Sequence, residues 1–166
     1  MTLLVTELTR LLPDGGVLMA EQEMQPYCVD WRGRFSGRPL CVVRPRSTSQ
    51  VAETVALCAR HGAALHPQGG NTGLCYGAVP GSDRDSVVVS LGRMNAIRSL
   101  DKANNSLVCE AGVVLTSIHA AAASVGRQFP LHLGSEGSAQ IGGLISTNAG
   151  GTSVLRYGPM RDLVYG

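Results

Sequence analysis

The fold is decided by one glycine-rich stretch, Pro67-Gln68-Gly69-Gly70-Asn71-Thr72-Gly73, which follows the short apolar run Ala63-Ala64-Leu65-His66. The apolar run predicts a strand. Glycine lacks a Cβ atom and reaches positive φ angles, so successive N–H groups of such a loop can turn toward one point and bind an anion. A loop of this kind suits a diphosphate, with Asn71 and Thr72 as additional side-chain donors. The alternative is a glycine-rich surface turn without a ligand.

Two familiar phosphate-binding motifs are absent from the sequence. No Gly-Lys-Ser/Thr follows the glycines, which excludes a Walker loop, and no G-x-G-x-x-G occurs, which excludes the Rossmann fingerprint. A second glycine-rich stretch, from Gly134 to Gly151, favours a ligand over the bare turn because its small residues let the backbone lie flat against a large molecule. Ser138 is predicted to cap a short helix that begins near Ala139 and points its N–H groups at an anion.

Composition limits the classes of function. The chain has 166 residues, 44% of them hydrophobic and 16% charged, and a net charge of +2, which does not indicate a nucleic-acid partner. Five cysteines at irregular spacing and four histidines without a ligand motif predict buried free thiols and no metal site. Neither a secretory signal nor an apolar run of about 18 residues occurs, so no transmembrane segment is expected and the predicted compartment is the cytoplasm.

Residue periodicity predicts the elements of the first half of the chain. Leucines at helical spacing indicate an amphipathic helix from Leu3 to Leu12, and residues 15–39 predict an irregular connecting arm. A strand at Leu40–Val43 precedes a helix over Thr48–His61 that is capped by Ser47 and Gln50 and ended by Gly62. Its predicted buried residues are Val51, Val55 and Cys58. Together with the strand before the glycine loop, these elements predict a β-α-β unit with the loop at a carboxyl strand end.

The second half predicts another strand at Ser86–Leu91 and then two short strands within 94–101 and 106–111. A helix over Val114–Val125, ended by Gly126, precedes the second glycine-rich stretch.

Several motifs, in one order, connect this chain to a known family. They are Pro67 to Leu74, Phe129-Pro130-Leu131, Ile141-Gly142-Gly143 with Thr147 to Gly151, and Arg156-Tyr157-Gly158. With them the chain resembles the FAD-linked oxidase family of the vanillyl-alcohol-oxidase or PCMH type. Within that family it is most similar to the D-2-hydroxyglutarate and D-lactate dehydrogenases and the glycolate oxidase D subunit. The resemblance runs from about Tyr27 to Gly166.

The resemblance implies an α+β fold, namely a PCMH-type FAD-binding domain of two α+β subdomains that is incomplete at its C-terminus. Residues 1–38 would form an N-terminal helix and arm, and residues 39–166 the FAD-binding domain, without a cap domain. The residues implied to bind FAD are Pro67, Gln68, Gly69, Gly70, Asn71, Thr72, Gly73, Leu74, Pro130, Gly134, Gly137, Ser138, Ile141, Gly142, Gly143, Thr147, Asn148, Ala149, Gly150 and Gly151.

Departures from the family pattern add further expectations. Asn71 and Thr72 stand where members with covalent flavin have a histidine, so FAD is expected to be non-covalent. Tyr76 brings a bulky side chain to a position where relatives have glycine, which would crowd the loop. His132 replaces an aspartate of close relatives and lies either near the flavin or at the surface.

The activity implied by the resemblance is that of an oxidoreductase of the EC 1.1 class. It would pass a hydride from a D-2-hydroxy acid, of the lactate, glycolate or 2-hydroxyglutarate type, to flavin and on to an unidentified electron acceptor. The family's catalytic residues and metal ligands lie beyond Gly166, and Leu163 to Gly166 predicts the start of a strand, so the chain is interpreted as a fragment that is inactive alone.

Two alternatives stay open: an inactive remnant or binding module, and another reaction on the same fold. The expected macromolecular partner is either the missing C-terminal half or a second copy of the chain.

Overall fold

The structure, a computed structural model, describes residues 2–81 and 84–166. Met1, Ser82 and Asp83 lie outside the described residues, so the predicted ranges 1–38 and 39–166 are compared with the structure without them. The chain forms two compact units, Met1–Arg93 and Met94–Gly166. The predicted boundary between residues 38 and 39 falls inside the first unit.

The first unit is built on a parallel sheet with an antiparallel edge strand. Its elements are α1 (Leu3–Leu11), β1 (Val17–Leu18), α2 (Glu21–Cys28), β2 (Cys41–Val43), α3 (Thr48–Arg60), β3 (Ala64–Gln68) and β4 (Ser86–Ser90). In the described residues the strand order is β1-β2-β4-β3, with β2 and β3 parallel to β4 and β1 antiparallel to β2. The predicted β2-α3-β3 unit is confirmed, and β4 lies between its strands.

The core of the first unit lies on both faces of this sheet. β4 is buried along its whole length, which explains its continuous valine run rather than an alternating pattern. Val87 and Val89 belong to a cluster with α1 and α3, including Leu8 at no exposure. Val88 belongs to another cluster, with Met24 of α2.

Helix α3 begins and ends as predicted. Ser47 Oγ accepts a hydrogen bond from the backbone N–H of Gln50 at 3.3 Å. The Gln50 side chain in turn accepts from the N–H of Arg46 at 2.7 Å, one residue earlier than in a standard capping box. Gly62 follows the helix with a φ of +68°, the left-handed conformation that glycine adopts most readily.

The predicted buried face of α3 is wrong in part. Thr54, Leu57 and Cys58 are its buried residues, whereas Val55 is exposed and Val51 only half-buried. The difference arises because the buried stripe includes a threonine, which a purely apolar pattern counts as polar.

The irregular arm predicted for residues 15–39 is wrong in its first part, up to Cys28, where a strand and a helix form. Val17 and Leu18 pair with Val43 and Val42 as the sheet edge. Helix α2 then buries Met24. The helix is hard to detect in the sequence because a single buried residue, Met24, gives no periodic apolar pattern. In addition, Pro26 lies inside the helix, where proline is normally unfavourable.

A tight turn follows α2 and is organised by the carboxylate of Asp30, which is 4% exposed. This carboxylate accepts hydrogen bonds from the backbone N–H groups of Arg32 (2.9 Å), Arg34 (2.7 Å) and Phe35 (2.6 Å). Burial alone would raise the pKa of Asp30, but the donated hydrogen bonds outweigh it and hold the pKa below its ordinary value.

The second unit combines a hairpin with short helices. Its elements are β5 (Ile97–Asp101), β6 (Ser106–Cys109), α4 (Leu115–Ser124), α5 (Ile141–Ser146), α6 (Val154–Tyr157) and a 3₁₀ helix (Met160–Leu163). The predicted hairpin and α4 are confirmed, with β5 antiparallel to β6. Ile118, Leu131 and Met160 are central to its core. The strand predicted at Leu163–Gly166 is wrong, because Leu163 ends the 3₁₀ helix and no strand follows among the described residues.

The predicted α+β fold class with two subdomains is confirmed. No helix in residues 2–81 or 84–166 has the length and apolar character needed to span a bilayer.

Cys41 and Cys58 are buried in the first core as free thiols, and burial raises the pKa of Cys41 to about 12. Cys75, by contrast, is exposed in the first glycine loop.

Candidate functional site

The first predicted loop starts where β3 ends, at Gln68. Gln68 is 3% exposed, and its side-chain nitrogen donates to the carbonyl oxygens of Tyr27 (3.1 Å) and Ala78 (2.9 Å). The amide therefore ties the start of the loop to its far end and to α2. Gln68 fixes the loop, and its side-chain nitrogen is occupied by the protein itself.

Asn71 holds the middle of the same loop. Its φ of +52° lies in the left-handed region, which asparagine tolerates better than most residues. Its side-chain nitrogen donates to the carbonyl oxygen of Val29 at 2.8 Å. One of the two hydrogens of this amide thus anchors the loop to the segment after α2, and donation by the other to a ligand stays a prediction.

The backbone of the loop keeps its donors available. From Gly69 through Leu74, no backbone N–H donates a hydrogen bond to any of the described residues. Gly69 to Thr72 are half-buried, and Gly73 and Leu74 are exposed, as is Pro67 at the entrance. Consecutive N–H groups of this kind, on a loop held by buried amides, suit an anion such as a diphosphate.

Tyr76, expected to crowd the loop, places its ring against Phe35. The ring centroids lie 5.7 Å apart at 30°. Tyr76 has a φ of +61°, uncommon for a bulky residue, and the contact with Phe35 shows where its side chain goes.

The glycines of the second stretch have two different roles. A Cβ atom at Gly134, Gly137 or Gly143 would meet no heavy atom within 4 Å among the described residues, so these positions face open space. A Cβ atom at Gly142 would lie 2.7 Å from the Cβ of Ala111, and one at Gly151 would collide with the backbone of His132. Gly142 and Gly151 are therefore required by packing within the protein.

The helix predicted to begin near Ala139 under a Ser138 cap is wrong in its start and its cap. Helix α5 begins at Ile141, and its N-cap residue, Gln140, makes no side-chain capping bond. The N–H groups of Ile141 and Gly142 donate to Val113 and Ala111 at 2.9 and 2.8 Å. The Ile141 bond, together with the bond from the N–H of Leu115 to Ala139, forms the bridge that joins Gln140 to Val114. Two amides at the helix N-terminus are thus unavailable to an anion.

The polar residues after α5 close that helix. Thr147 Oγ1 donates to the carbonyl of Gly143 at 2.9 Å. Asn148, with a φ of +49°, accepts the N–H of Arg161 at 2.9 Å through its side-chain oxygen. Ala149 bonds to Leu144 through its N–H and to Met160 through its carbonyl. Gly150 is exposed.

The three remaining predicted residues of the second unit, Pro130, Ser138 and Ile141, differ in their burial. Ile141 is buried, like the neighbouring Leu131, and Pro130 is half-buried, whereas Ser138 is exposed and its N–H donates to Ser135. These residues support the shape of the loop from within, and Ser138 presents a hydroxyl at its surface.

A cluster that the sequence did not predict lies beside this loop. His119 of α4 and His132 and Glu136 of the following loop bring one ligand atom each to within 4.8 Å of one another. The Glu136 Oε2 atom is 3.3 Å from His132 Nδ1 and 3.8 Å from His119 Nδ1. From the sequence, His132 is expected either near the flavin or at the surface. Its partners were missed because His119 belongs to no metal-ligand motif. The i, i+4 spacing of His132 and Glu136 was the available signal.

The second unit also contains an apolar cavity of about 650 Å³. The hairpin, α4, α5 and the last residues of the chain line it, including Ile118, Ile141 and Met160. Its size is within the range of small-molecule sites, and its lining is more apolar than polar.

Comparisons with known proteins agree on one family. The family described as "FAD binding domain" matches residues 39–166. A probable mitochondrial D-2-hydroxyglutarate dehydrogenase of Oryza sativa is 41% identical over 94% of this chain and 28% of its own length. D-2-hydroxyglutarate dehydrogenase of Stutzerimonas stutzeri is 39% identical over 98% of this chain and 35% of its own.

A solved structure of alkyldihydroxyacetonephosphate synthase superposes with a TM-score of 0.87 at 19% identity, over 98% of this chain and 31% of that chain. Because its sequence identity is low, this match shows the shared fold alone. The chain therefore spans about a third of the length of the proteins that it matches.

Proposed function

Since the chain belongs to the family of FAD binding domains, with FAD as its cofactor, we propose that it is the FAD-binding part of an oxidoreductase acting on a D-2-hydroxy acid. The acid is of the lactate, glycolate or 2-hydroxyglutarate type, and the relatives reported above are named for D-2-hydroxyglutarate, a member of this class. When bound, FAD supplies the acceptor for a hydride from the substrate carbon. The electron acceptor that reoxidises the enzyme is unidentified. The relatives named for this activity are about three times as long as this chain.

The observation that carries the proposal is the run of available N–H groups from Gly69 to Leu74. A diphosphate needs several donors that converge without a large rearrangement, and Gln68 and Asn71 hold this loop in place through bonds to other segments. In the second unit, the open positions Gly134 and Gly137 leave room for a flat ligand close to the backbone.

The binding is proposed to be non-covalent. Asn71 and Thr72 occupy the part of the loop where a histidine would be needed for attachment to the flavin ring. Acid precipitation of the loaded chain should release all yellow colour into the supernatant. Flavin that stays with the precipitate would contradict this part of the proposal.

The test of the function is a flavin-retention experiment followed by reduction. The purified chain is incubated with FAD, passed through gel filtration and examined for a flavin spectrum that comigrates with the protein. Addition of D-lactate, glycolate or D-2-hydroxyglutarate without oxygen then tests whether the flavin absorption is bleached. Retention supports the FAD site, and bleaching supports the substrate class.

A second candidate is a binding module without turnover. It is favoured by the share of its relatives that this chain spans, about a third of their length. Retained flavin that no hydroxy acid bleaches is the result expected of this module, of another reaction on the same fold, and of a chain that is inactive alone. Reduction by one of the acids would exclude the module.

The cytoplasmic location stays a proposal, and the rice relative is named as mitochondrial.

A further inference from the structure

Three side chains of the second unit converge as metal ligands do. His132 Nδ1 and Glu136 Oε2 are 3.3 Å apart, and His119 Nδ1 lies 3.8 Å from the same oxygen. Ligand atoms at about 2.0–2.1 Å from a tetrahedral ion are separated by about 3.3 Å. The first pair already has this separation, and His119 needs to approach by about 0.5 Å. Its side chain is 19% exposed, and the other two are almost 40% exposed, which leaves room for that adjustment.

The hydrogen bond of His119 selects the tautomer that a metal needs. Its Nε2 atom lies 2.9 Å from the carbonyl oxygen of Leu131. A carbonyl only accepts, so Nε2 carries the proton and Nδ1 presents a lone pair toward Glu136. Metal-bound histidines commonly make such a bond from their second nitrogen to a carbonyl or carboxylate.

His132 has an adaptable partner of the same kind. Its Nε2 atom is 3.2 Å from the side-chain amide nitrogen of Gln128. In that arrangement the amide donates to Nε2, and the proton on Nδ1 faces Glu136. If the Gln128 amide rotates by half a turn, its oxygen accepts a hydrogen bond from Nε2–H of the other tautomer, and Nδ1 becomes free to bind a cation.

We propose that His119, His132 and Glu136 form a site for a divalent transition-metal ion of the zinc class. Two imidazole nitrogens and one carboxylate oxygen make a donor set that such ions accept, and water would complete the tetrahedron. Without metal, the same groups form a histidine–glutamate hydrogen-bonded cluster.

A bound ion would connect two parts of the second unit. His119 belongs to α4, whereas His132 and Glu136 belong to the loop that also carries Gly134, Gly137 and Ser138. The ion would therefore restrict that loop relative to α4. This role does not depend on which substrate the complete protein oxidises.

The test uses Co²⁺, whose visible absorption reports coordination by nitrogen and oxygen or by sulfur. We expect the full chain to bind one equivalent with tetrahedral d–d bands, and Zn²⁺ to displace it. Glu136→Gln and His132→Ala should each abolish these bands at one equivalent. Gln128→Ala should weaken binding by about tenfold because it removes a partner of a ligating histidine.

Matched variants separate this site from other binding. His61 lies outside the proposed site, and its Nε2 is 2.7 Å from Glu7 Oε2. The variant His61→Ala removes this histidine and should leave the bands unchanged. Cys75→Ser removes the exposed thiol and should also leave them unchanged. Circular dichroism confirms that each variant is folded, and Glu136→Gln keeps the side-chain shape if the alanine variant does not fold.

The proposal is overturned if no saturable band appears, if the bands survive in Glu136→Gln, or if they show sulfur-to-metal charge transfer that Cys75→Ser removes.

Discussion

At the scale of single residues, Asn71 combines a backbone role with an anchoring role. Its left-handed φ suits asparagine, and its amide donates to Val29 at 2.8 Å. Asn71→Asp keeps the size of the side chain but turns a donor into an acceptor opposite a carbonyl oxygen. We expect this variant to lower the free energy of unfolding by about 1–3 kcal/mol. Urea denaturation at neutral pH measures the difference.

The same variant adds a negative charge to a loop proposed to bind a diphosphate. FAD affinity should therefore fall by tenfold or more, measured by quenching of flavin fluorescence. Asn71→Gly is the control, because glycine adopts the left-handed conformation and carries no charge. If the aspartate and glycine variants lose the same affinity for FAD, the charge at residue 71 does not affect FAD binding.

Asp30 predicts the dependence of stability on pH. Its pKa is lower in the folded chain than in the unfolded chain, because the N–H groups of Arg32, Arg34 and Phe35 bind the charged form despite its burial. The stabilisation is present above the ordinary carboxyl pKa of about 3.9 and is lost as the pH falls through the lower folded-state value. Asp30→Asn should lower the Tm at pH 7 and reduce the loss of Tm on acidification below pH 4.

Asp101→Asn is the matched control for this titration. Asp101 is exposed, and its carboxylate accepts a hydrogen bond from the backbone N–H of Asn104 at 3.0 Å. Its replacement removes an exposed carboxylate and should leave the Tm at pH 7 nearly unchanged. An acid transition in Asp30→Asn that equals that of the original chain would assign the acid sensitivity to other carboxylates.

At the scale of elements, the neighbouring glycines of α5 make opposite predictions. A Cβ atom at Gly142 would approach Ala111 to 2.7 Å, so Gly142→Ala should displace the helix and destabilise the chain by about 1–3 kcal/mol. Gly143 faces open space within a helix, so Gly143→Ala should stabilise the chain by about 0.5–1 kcal/mol. Thermal unfolding of both variants measures the difference.

Gly143→Ala also separates folding from binding. If FAD lies against this open face, the added methyl group should reduce FAD retention in a chain that is more stable. If the variant is more stable and retains FAD fully, Gly143 does not belong to the cofactor site. The pair thus distinguishes a glycine required by packing from one that leaves room for a ligand.

Elements whose sequence carries their own start and stop signals were predictable. The Ser47 cap and Gly62 define α3, and the turn at residues 102–105 defines the hairpin. Strand β1 and helix α2 were missed because their order comes from tertiary partners: Val17 needs Val43, and Met24 packs with Val42 and Val88. Local patterns do not contain these contacts.

The site was predictable to a similar extent. The glycine loop and its position after β3 follow from the sequence, but the use of Asn71 as an anchor does not, because Val29 is 42 residues away. The same holds for the bond between Ile141 and Val113, which occupies the start of α5. The cluster of His119, His132 and Glu136 depends on where α4 packs. Motifs predicted the cofactor, and the fold decides which donors remain available.

At the scale of the whole molecule, the second unit exposes an apolar groove. Its cavity of about 650 Å³ is bordered by Val108 of β6 and Ile145 of α5, which are 55% and 45% exposed. Burial of such side chains is favourable at about 25 cal/mol per Å² of apolar surface. A second polypeptide, including another copy of this chain, would bury them, so concentration-dependent association of the purified chain is expected.

Sedimentation velocity over a range of concentrations tests this association. Ile145→Glu puts a charge on the rim of the groove and should weaken self-association by at least about tenfold, equivalent to about 1.4 kcal/mol. Leu155→Glu is the matched control, because Leu155 is a fully exposed apolar residue that does not line the groove. Equal effects of the two variants would assign association to general surface apolarity. A chain that stays monomeric at every concentration would mean that this groove does not bind a second copy of the chain.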